Sequence, residues 1–286
     1  AVVLSSRPDS RMTLENFKIE TVPEPVTPVP AGKILVELVY VSIDPYMRHR
    51  MDDVKGILFG PLAIGQSLSG SAILRVLESN DSKIKTGSLV KSSAIYQLRQ
   101  IIPANIVEMI LSINDTRLPE HYHLGILGLT GLSGYLSLLE IGKPRKGETI
   151  FISGAAGAVG SVVGQIAKLL GLKVYGSTET DEKVKWLIDE LNFDGAYDYK
   201  ITSTDTFLSQ TVPKGVDIFF DNVGGEILDQ TLEHMRYNGR IIACGAISQY
   251  DNPNKYGVKN LLYITTKRLT YQGFIVWDLL LKYPGK

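Results

Sequence analysis

Residues 153–164 read SGAAGAVGSVVG, with glycines at 154, 157, 160 and 164. Glycines so spaced let a backbone approach a pyrophosphate without Cβ clashes, and the N–H groups of a following helix start would hold its negative charge. The same spacing also suits a helix that merely packs closely, with no ligand. About 20 residues beyond such a turn, a dinucleotide fold carries the group that reads the adenosine ribose. Here KVYGSTETDEK puts Ser177 and Thr178 where an NAD-binding chain carries Asp or Glu. A carboxylate there would accept from the 2′-OH and repel a 2′-phosphate. Hydroxyls in its place, with Lys183 nearby, favour NADPH; Glu179 and Asp181 argue against that if either points inward.

The surrounding elements decide between phosphate turn and packing helix. ETIFISG (148–154) reads as a strand, and SVVGQIAKLLG (161–171) as a helix closed by Gly171. The strand KVYGST (173–178), the helix DEKVKWLIDEL (181–191), then AYDY, VDIFFDNVGG, a helix from EILDQTLEHM, GRIIACG and LTYQGFIV continue the alternation. Repeated strand–helix–strand units predict a parallel, doubly wound sheet. The glycine stretch directly follows a strand and opens a helix, the context in which it marks a dinucleotide site.

The preceding part differs. PEPVTPVPAG (23–32) is a proline-punctuated loop, and KILVELVYVSI (33–43) is a strand rich in β-branched residues, with more strands around SAILRVLES and GSLVKSSAIY. Without regular helix alternation this half predicts a small barrel or sandwich. The rhythm changes at about residue 122, giving expected domains of 1–121 and 122–286. A chain of 286 residues fits two domains of ordinary size.

Apolar residues at 44% and charged residues at 21% describe a globular chain and exclude disorder. Thirty basic residues balance thirty acidic ones, so no global field recruits nucleic acid or an anionic membrane. The uncharged stretch LGILGLTGLSGYLSLL (124–139) is short of a bilayer span and carries four glycines, which predicts a buried, tightly packed segment. AVVLSSRPDSR at the start has no basic-then-apolar pattern of a secretory signal. The single cysteine, Cys244, rules out an internal disulfide and fits a reducing compartment, so a cytoplasmic location is expected.

A catalytic zinc needs three Cys, His or carboxylate ligands, and a structural lobe typically four cysteines. One cysteine and histidines at 49, 121, 123 and 234 predict no metal. His121 and His123 in EHYH would face the same way on a strand, but with no third ligand they read as a surface pair.

SIDPYMRHRM (42–51), SGAAGAVGSVVGQIAKL (153–169), TDEKV (180–184), DYK (198–200), DNVGG (221–225), CGAISQY (244–250) and GFIV (273–276), in this order, resemble the medium-chain dehydrogenase/reductase superfamily. More narrowly, they are similar to its zinc-independent branch of prostaglandin reductases and NADP-dependent alkenal double-bond reductases. The resemblance implies an α/β chain: a GroES-like β-rich domain, then a Rossmann-type domain with a doubly wound parallel sheet. It also implies a return segment after DLLLKYPGK and a homodimer. The family's GLTAY is GLSGY here (131–135).

Carried over by position, the resemblance implies that Gly157, Ala158, Val159 and Gly160 line the pyrophosphate of NADPH. Lys183 and Tyr199 would hold the 2′-phosphate, and Asn222 would sit at the carboxyl end of the fourth strand. Cys244, Gly245, Ala246, Ile247 and Ser248 would border the cofactor, and Phe274, Ile275 and Val276 would offer main-chain groups to the carboxamide. Tyr250 resembles the family's catalytic tyrosine and Tyr46 its partner from the first domain. A phenol can donate to a developing enolate oxygen while staying protonated at neutral pH. The implied reaction is hydride transfer from NADPH to the β-carbon of an α,β-unsaturated aldehyde or ketone.

Three rivals stand beside it. Tyr263 and Lys267 form a YxxxK match to short-chain dehydrogenases, but a long preceding region and Ala158 in the glycine pattern argue against that family. A quinone reductase of the same superfamily would use the same cofactor site. A non-catalytic NADPH-binding protein is the third; the tyrosine pair argues against it.

Overall fold

The computed structural model describes residues 1–53, 60–111 and 118–282. The chain divides into two compact units, Ala1–Gly128 and Leu129–Lys286. The sequence rhythm changes earlier, but Leu124 is buried against Ile73, Leu89 and Leu111, which keeps residues past 122 with the first unit.

In the first unit β1 (Val2–Leu4) pairs antiparallel with β2 (Phe17–Ile19). A five-stranded antiparallel sheet is built from β3 (Lys33–Val41), β4 (Ser69–Ser79), β5 (Leu89–Ile95), β6 (Arg99–Pro103) and β7 (Val107–Leu111), in the order β6-β3-β4-β5-β7. Ala72, Leu74 and Val76 alternate along β4 within one core cluster, the period of two of a strand, and Ile73 between them is buried in a second cluster with Leu89, Leu111 and Leu124. After β3, the short helix α1 (Tyr46–Arg50) opens with Tyr46 and buries Met47. The EHYH segment is one 3₁₀ turn, Glu120–His123, not a strand. The His121 ring lies 5.7 Å from Tyr40 and 5.0 Å from Tyr122, so it packs as an aromatic.

The second unit starts with α2 (Leu129–Ser137), continued by a π turn over Leu138–Gly142. The expected close packing of 124–139 holds in part: Gly131 and Gly134 are buried, and a Cβ on Gly134 would lie 3.1 Å from Val163. Ile126, Leu127 and Tyr135, however, are exposed, and a Cβ on Gly125 would meet nothing within 4 Å. Next come β8 (Thr149–Ile152), α3 (Ala158–Leu169), β9 (Lys173–Thr178), α4 (Asp181–Asp189), β10 (Gly195–Asp198) and α5 (Thr204–Thr211). They are followed by β11 (Val216–Asp221), α6 (Gly225–His234), β12 (Met235–Ala243), α7 (Leu262–Thr266), β13 (Thr270–Gly273) and α8 (Val276–Leu280).

The six strands are parallel, in the order β10-β9-β8-β11-β12-β13. By chain order this is 3-2-1-4-5-6, the doubly wound arrangement whose switch point falls between β8 and β11. β8 is buried at every residue, as a central parallel strand covered on both faces must be. On α3, Gly160, Val163, Gly164 and Ala167 recur at i, i+3, i+4 and i+7 and form the face on the sheet. Gly171, at φ +78°, ends that helix by a left-handed turn, as expected from its position. Among the described residues, no helix is long and apolar enough to cross a membrane.

Candidate functional site

Ligands of doubly wound sheets bind at the carboxyl ends of the strands beside the switch point. Here that edge is made by Ser153–Gly157 after β8, Ser177–Thr180 around the end of β9, Asp221–Gly225 after β11 and Cys244–Tyr250 after β12.

The three glycines on the turn and helix answer to different demands. A Cβ on Gly160 would lie 2.5 Å from Gly154 O and 2.8 Å from Ala155 Cα, and one on Gly164 would overlap the Phe193 ring. Those two glycines are needed for packing. Gly157 is not: its φ of −75° is open to any L residue, and a Cβ there would meet only Gly154 O, at 3.2 Å. It is the N-cap of α3, with no side chain capping the first-turn N–H groups, which have no intrahelical acceptors. The small residue and the open donors of 158–160 fit a phosphate lying over the helix start.

Ser153 and Asp221 hold the two sides of the switch point together. Ser153 Oγ donates to Asp221 Oδ1 at 2.8 Å and accepts from the N–H groups of Asn222 (2.9 Å) and Val223 (3.2 Å). Asp221 Oδ1 also accepts from Val223 N at 3.0 Å and Gly224 N at 2.8 Å. Burial pushes the Asp221 carboxyl up, and those hydrogen bonds oppose it. Asn222 turns its amide inward, Nδ2 donating to Ser153 O at 2.8 Å. Sequence reasoning singled out Asn222 but missed Ser153 and Asp221; a serine ending one strand and an aspartate ending the other was the available signal.

The main chain of 221–223 then carries the 244–250 loop. Asp221 O accepts from Cys244 N (2.9 Å) and Gly245 N (3.1 Å), Asn222 O from Ile247 N (3.2 Å), and Val223 O from Ser248 Oγ (2.7 Å). Tyr250 folds back over this loop, its Oη accepting from Ala246 N at 3.2 Å. A Cβ on Gly245 would lie 3.0 Å from that oxygen and 3.3 Å from Asn222 O, so glycine at 245 lets the phenol reach the strand end. Burial is the main cause that pushes the Tyr250 phenol above its ordinary range. Cys244 is pushed up to about 12 by burial and by the Asp221 charge. Phe274 follows Gly273, which pairs with Ala243; Phe274, Ile275 and Val276 therefore continue from the same sheet edge, with Val276 buried at the start of α8.

At the end of β9, Ser177 and Thr178 are buried. Ser177 O accepts from Ala155 N at 2.8 Å, joining this strand end to the glycine turn. Thr180 caps α4 by accepting from Lys183 N at 3.3 Å. The Lys183 ammonium is paired with the Glu179 carboxylate rather than standing alone. Tyr199 is half exposed beside them, its N–H donating to Thr178 O at 3.0 Å.

Tyr46 belongs to the first unit. Burial, then the charge of Asp44, pushes its phenol up, and Arg50 opposes. The YxxxK pair lies elsewhere: Lys267 sits over the Tyr263 ring at 4.7 Å, and its carbonyl accepts from Asn238 N in the first half of β12. That is the end of the sheet opposite the glycine turn. No group of three or more Cys, His, Asp or Glu among the described residues could hold a metal ion.

Residues 1–110 match a family described as the N-terminal domain of oxidoreductase, and residues 158–283 one described as zinc-binding dehydrogenase. A 2-alkenal reductase (NADP(+)-dependent) of Nicotiana tabacum is 40% identical over 277 residues, spanning 96% of this chain and 79% of the relative. Prostaglandin reductase 1 of Bos taurus is 39% identical over 268 residues, 93% of this chain and 78% of that one. The crystal structure of CurA from Vibrio vulnificus in complex with NADPH superposes with a TM-score of 0.90 at 34% identity, covering 97% of this chain and 82% of that one.

Proposed function

The chain belongs to the zinc-independent branch of the medium-chain dehydrogenase/reductase family, and on that premise we propose that it reduces the C=C bond of α,β-unsaturated aldehydes and ketones with NADPH. The observation that carries this reading is the 40% identity, over nearly the whole chain, to an NADP(+)-dependent 2-alkenal reductase.

NADPH, when bound, supplies the hydride that adds to the β-carbon. The chain's own residues do the rest. The first-turn N–H groups of α3, over Gly157, Ala158, Val159 and Gly160, hold the pyrophosphate, and Lys183 and Tyr199 hold the 2′-phosphate. Asn222 and residues 244–248 border the cofactor, and Phe274, Ile275 and Val276 bind its carboxamide through the main chain. Tyr250, kept protonated by its burial, donates a hydrogen bond to the enolate oxygen as charge develops there. Solvent then protonates the α-carbon.

The test is NADPH consumption against a panel of alkenals, aryl enones and quinones. Turnover of alkenals, lost in Tyr250→Phe, is the expected result. Oxidation with quinones alone would replace this reading by a quinone reductase, and binding without turnover by a cofactor-binding protein. Wild-type enone reduction in Tyr250→Phe would remove the role given to that residue.

A further inference from the structure

Glu179 is the first residue beyond β9, about 20 residues after the glycine turn, where dinucleotide folds read the ribose. It is a carboxylate in a place where the preceding two residues, Ser177 and Thr178, are small, uncharged and buried. Its side chain turns toward the groups that would receive a 2′-phosphate. Lys183, four residues on, is hydrogen-bonded to it across one helical turn. The Lys183 hydrogen bond is the main cause holding the Glu179 carboxyl below its usual range, and Lys200 acts on it too. Tyr199 feels the same carboxylate. One anion already sits on the lysine that would receive the 2′-phosphate.

We propose that Glu179 is a specificity-determining residue: its carboxylate occupies the place of the ribose 2′-phosphate on Lys183, beside Tyr199, so the chain discriminates weakly against NADH. The inference rests on the assignment of Lys183 and Tyr199 to the 2′-phosphate made above. Two consequences follow from charge alone. A 2′-phosphate must displace Glu179 from Lys183 and then lie beside a like charge. A free ribose 2′-OH meets no such opposition and gains an acceptor. The ion pair itself is half exposed on both sides, at 46% for Lys183 and 44% for Glu179. Exposed pairs are weak, so a phosphate can open this one. The lasting effect is the repulsion between carboxylate and phosphate.

Removing the carboxylate should tighten a 2′-phosphorylated nucleotide by about tenfold, the size expected of one like-charge contact near a protein surface. The probes are 2′,5′-ADP and 5′-AMP, titrated calorimetrically into the full chain and into the Glu179→Gln, Glu179→Ala and Lys183→Ala variants. Glu179 is half exposed, and neither change at that position should disturb the fold. The expected result is tighter 2′,5′-ADP binding in both Glu179 variants with little change for 5′-AMP. The NADPH-to-NADH ratio of dissociation constants should move toward NADPH by a similar factor. If 2′,5′-ADP affinity in Glu179→Gln stays within about twofold of wild type while Lys183→Ala weakens it, the inference is overturned and the phosphate assignment stands. If Lys183→Ala leaves 2′,5′-ADP unchanged, both fail together.

Discussion

Ser153 Oγ and Asp221 Oδ1 lie 2.8 Å apart, a buried hydrogen bond between the carboxyl ends of two neighbouring parallel strands. It makes one frame of β8, which leads into the glycine turn, and β11, whose continuation carries the Tyr250 loop. Glycine turn and phenol are thereby set against the same pair of strand ends.

Ser153→Ala leaves the Asn222 N–H without its Ser153 acceptor and takes a donor from Asp221. Stranding buried polar groups costs about 1–3 kcal/mol. The urea midpoint of the second domain should fall accordingly, and NADPH affinity with it. An unchanged midpoint would mean that the frame contributes nothing.

Asp221→Asn gives a pH-dependent outcome. The folded-state carboxyl is raised, so the stability it contributes is full below the unfolded value near 4 and is lost as pH rises through the folded value. The amide keeps an acceptor but not the charge. Relative to wild type, the variant's unfolding midpoint should therefore improve as pH rises from about 4 toward neutrality. A gap that is constant over that range would count against a buried carboxylate with a raised pKa.

Gly157→Ala and Gly160→Ala should separate ligand from packing. At 160 the new methyl meets backbone at 2.5 and 2.8 Å, which must shift, so a loss of several kcal/mol, roughly 2–4, is expected in unfolding. At 157 the methyl meets one carbonyl at 3.2 Å and stability should change by about 1 kcal/mol or less. Its NADPH dissociation constant should nevertheless rise about tenfold or more, because the methyl points into space that a phosphate would use. Equal binding by wild type and Gly157→Ala would leave that glycine without a ligand.

Much of the second domain could be read from residues alone. Short runs rich in β-branched and aromatic residues such as TIFI, helix faces at i, i+3, i+4 and i+7, and Gly171 after the helix each follow from local physics. The glycine stretch could be read as a turn but not divided into roles, because what Gly164 meets, the Phe193 ring, is 29 positions away in the chain. The same holds for the Ser153–Asp221 bond, between residues 68 positions apart. Alternating rings make EHYH read as a strand, whereas Pro119 and the contact of His121 with Tyr40 favour a tight turn. Glu179 was visible as a counterargument, but its direction depends on the helical turn that brings Lys183 back to it.

Cys244 should be a poor nucleophile in the folded chain. With the thiol at about 12, only about one molecule in ten thousand is thiolate at pH 8. Iodoacetamide should label it far more slowly than a free cysteine, and urea should restore the ordinary rate. Labelling at the free-cysteine rate in native buffer would contradict a raised thiol at this half-buried position.

Tyr250 makes the sharpest claim on pH. Its phenol is raised chiefly by burial; the Ala246 N–H opposes, and the charges of Cys244 and Asp221 add to the rise. A raised phenol keeps its proton past the ordinary value of about 10, so it remains a donor throughout the range in which the protein is assayed. The rate of enone reduction at saturating NADPH should therefore show no alkaline limb from this group below about pH 10. Tyr250→Phe should lower kcat by roughly a hundredfold, the usual cost of one lost donor to a developing oxyanion, and by the same factor at each pH below 10. An alkaline limb near pH 8 in wild type that vanishes in Tyr250→Phe would mean that the phenol ionises where it is required to donate, and the role would have to pass to another group.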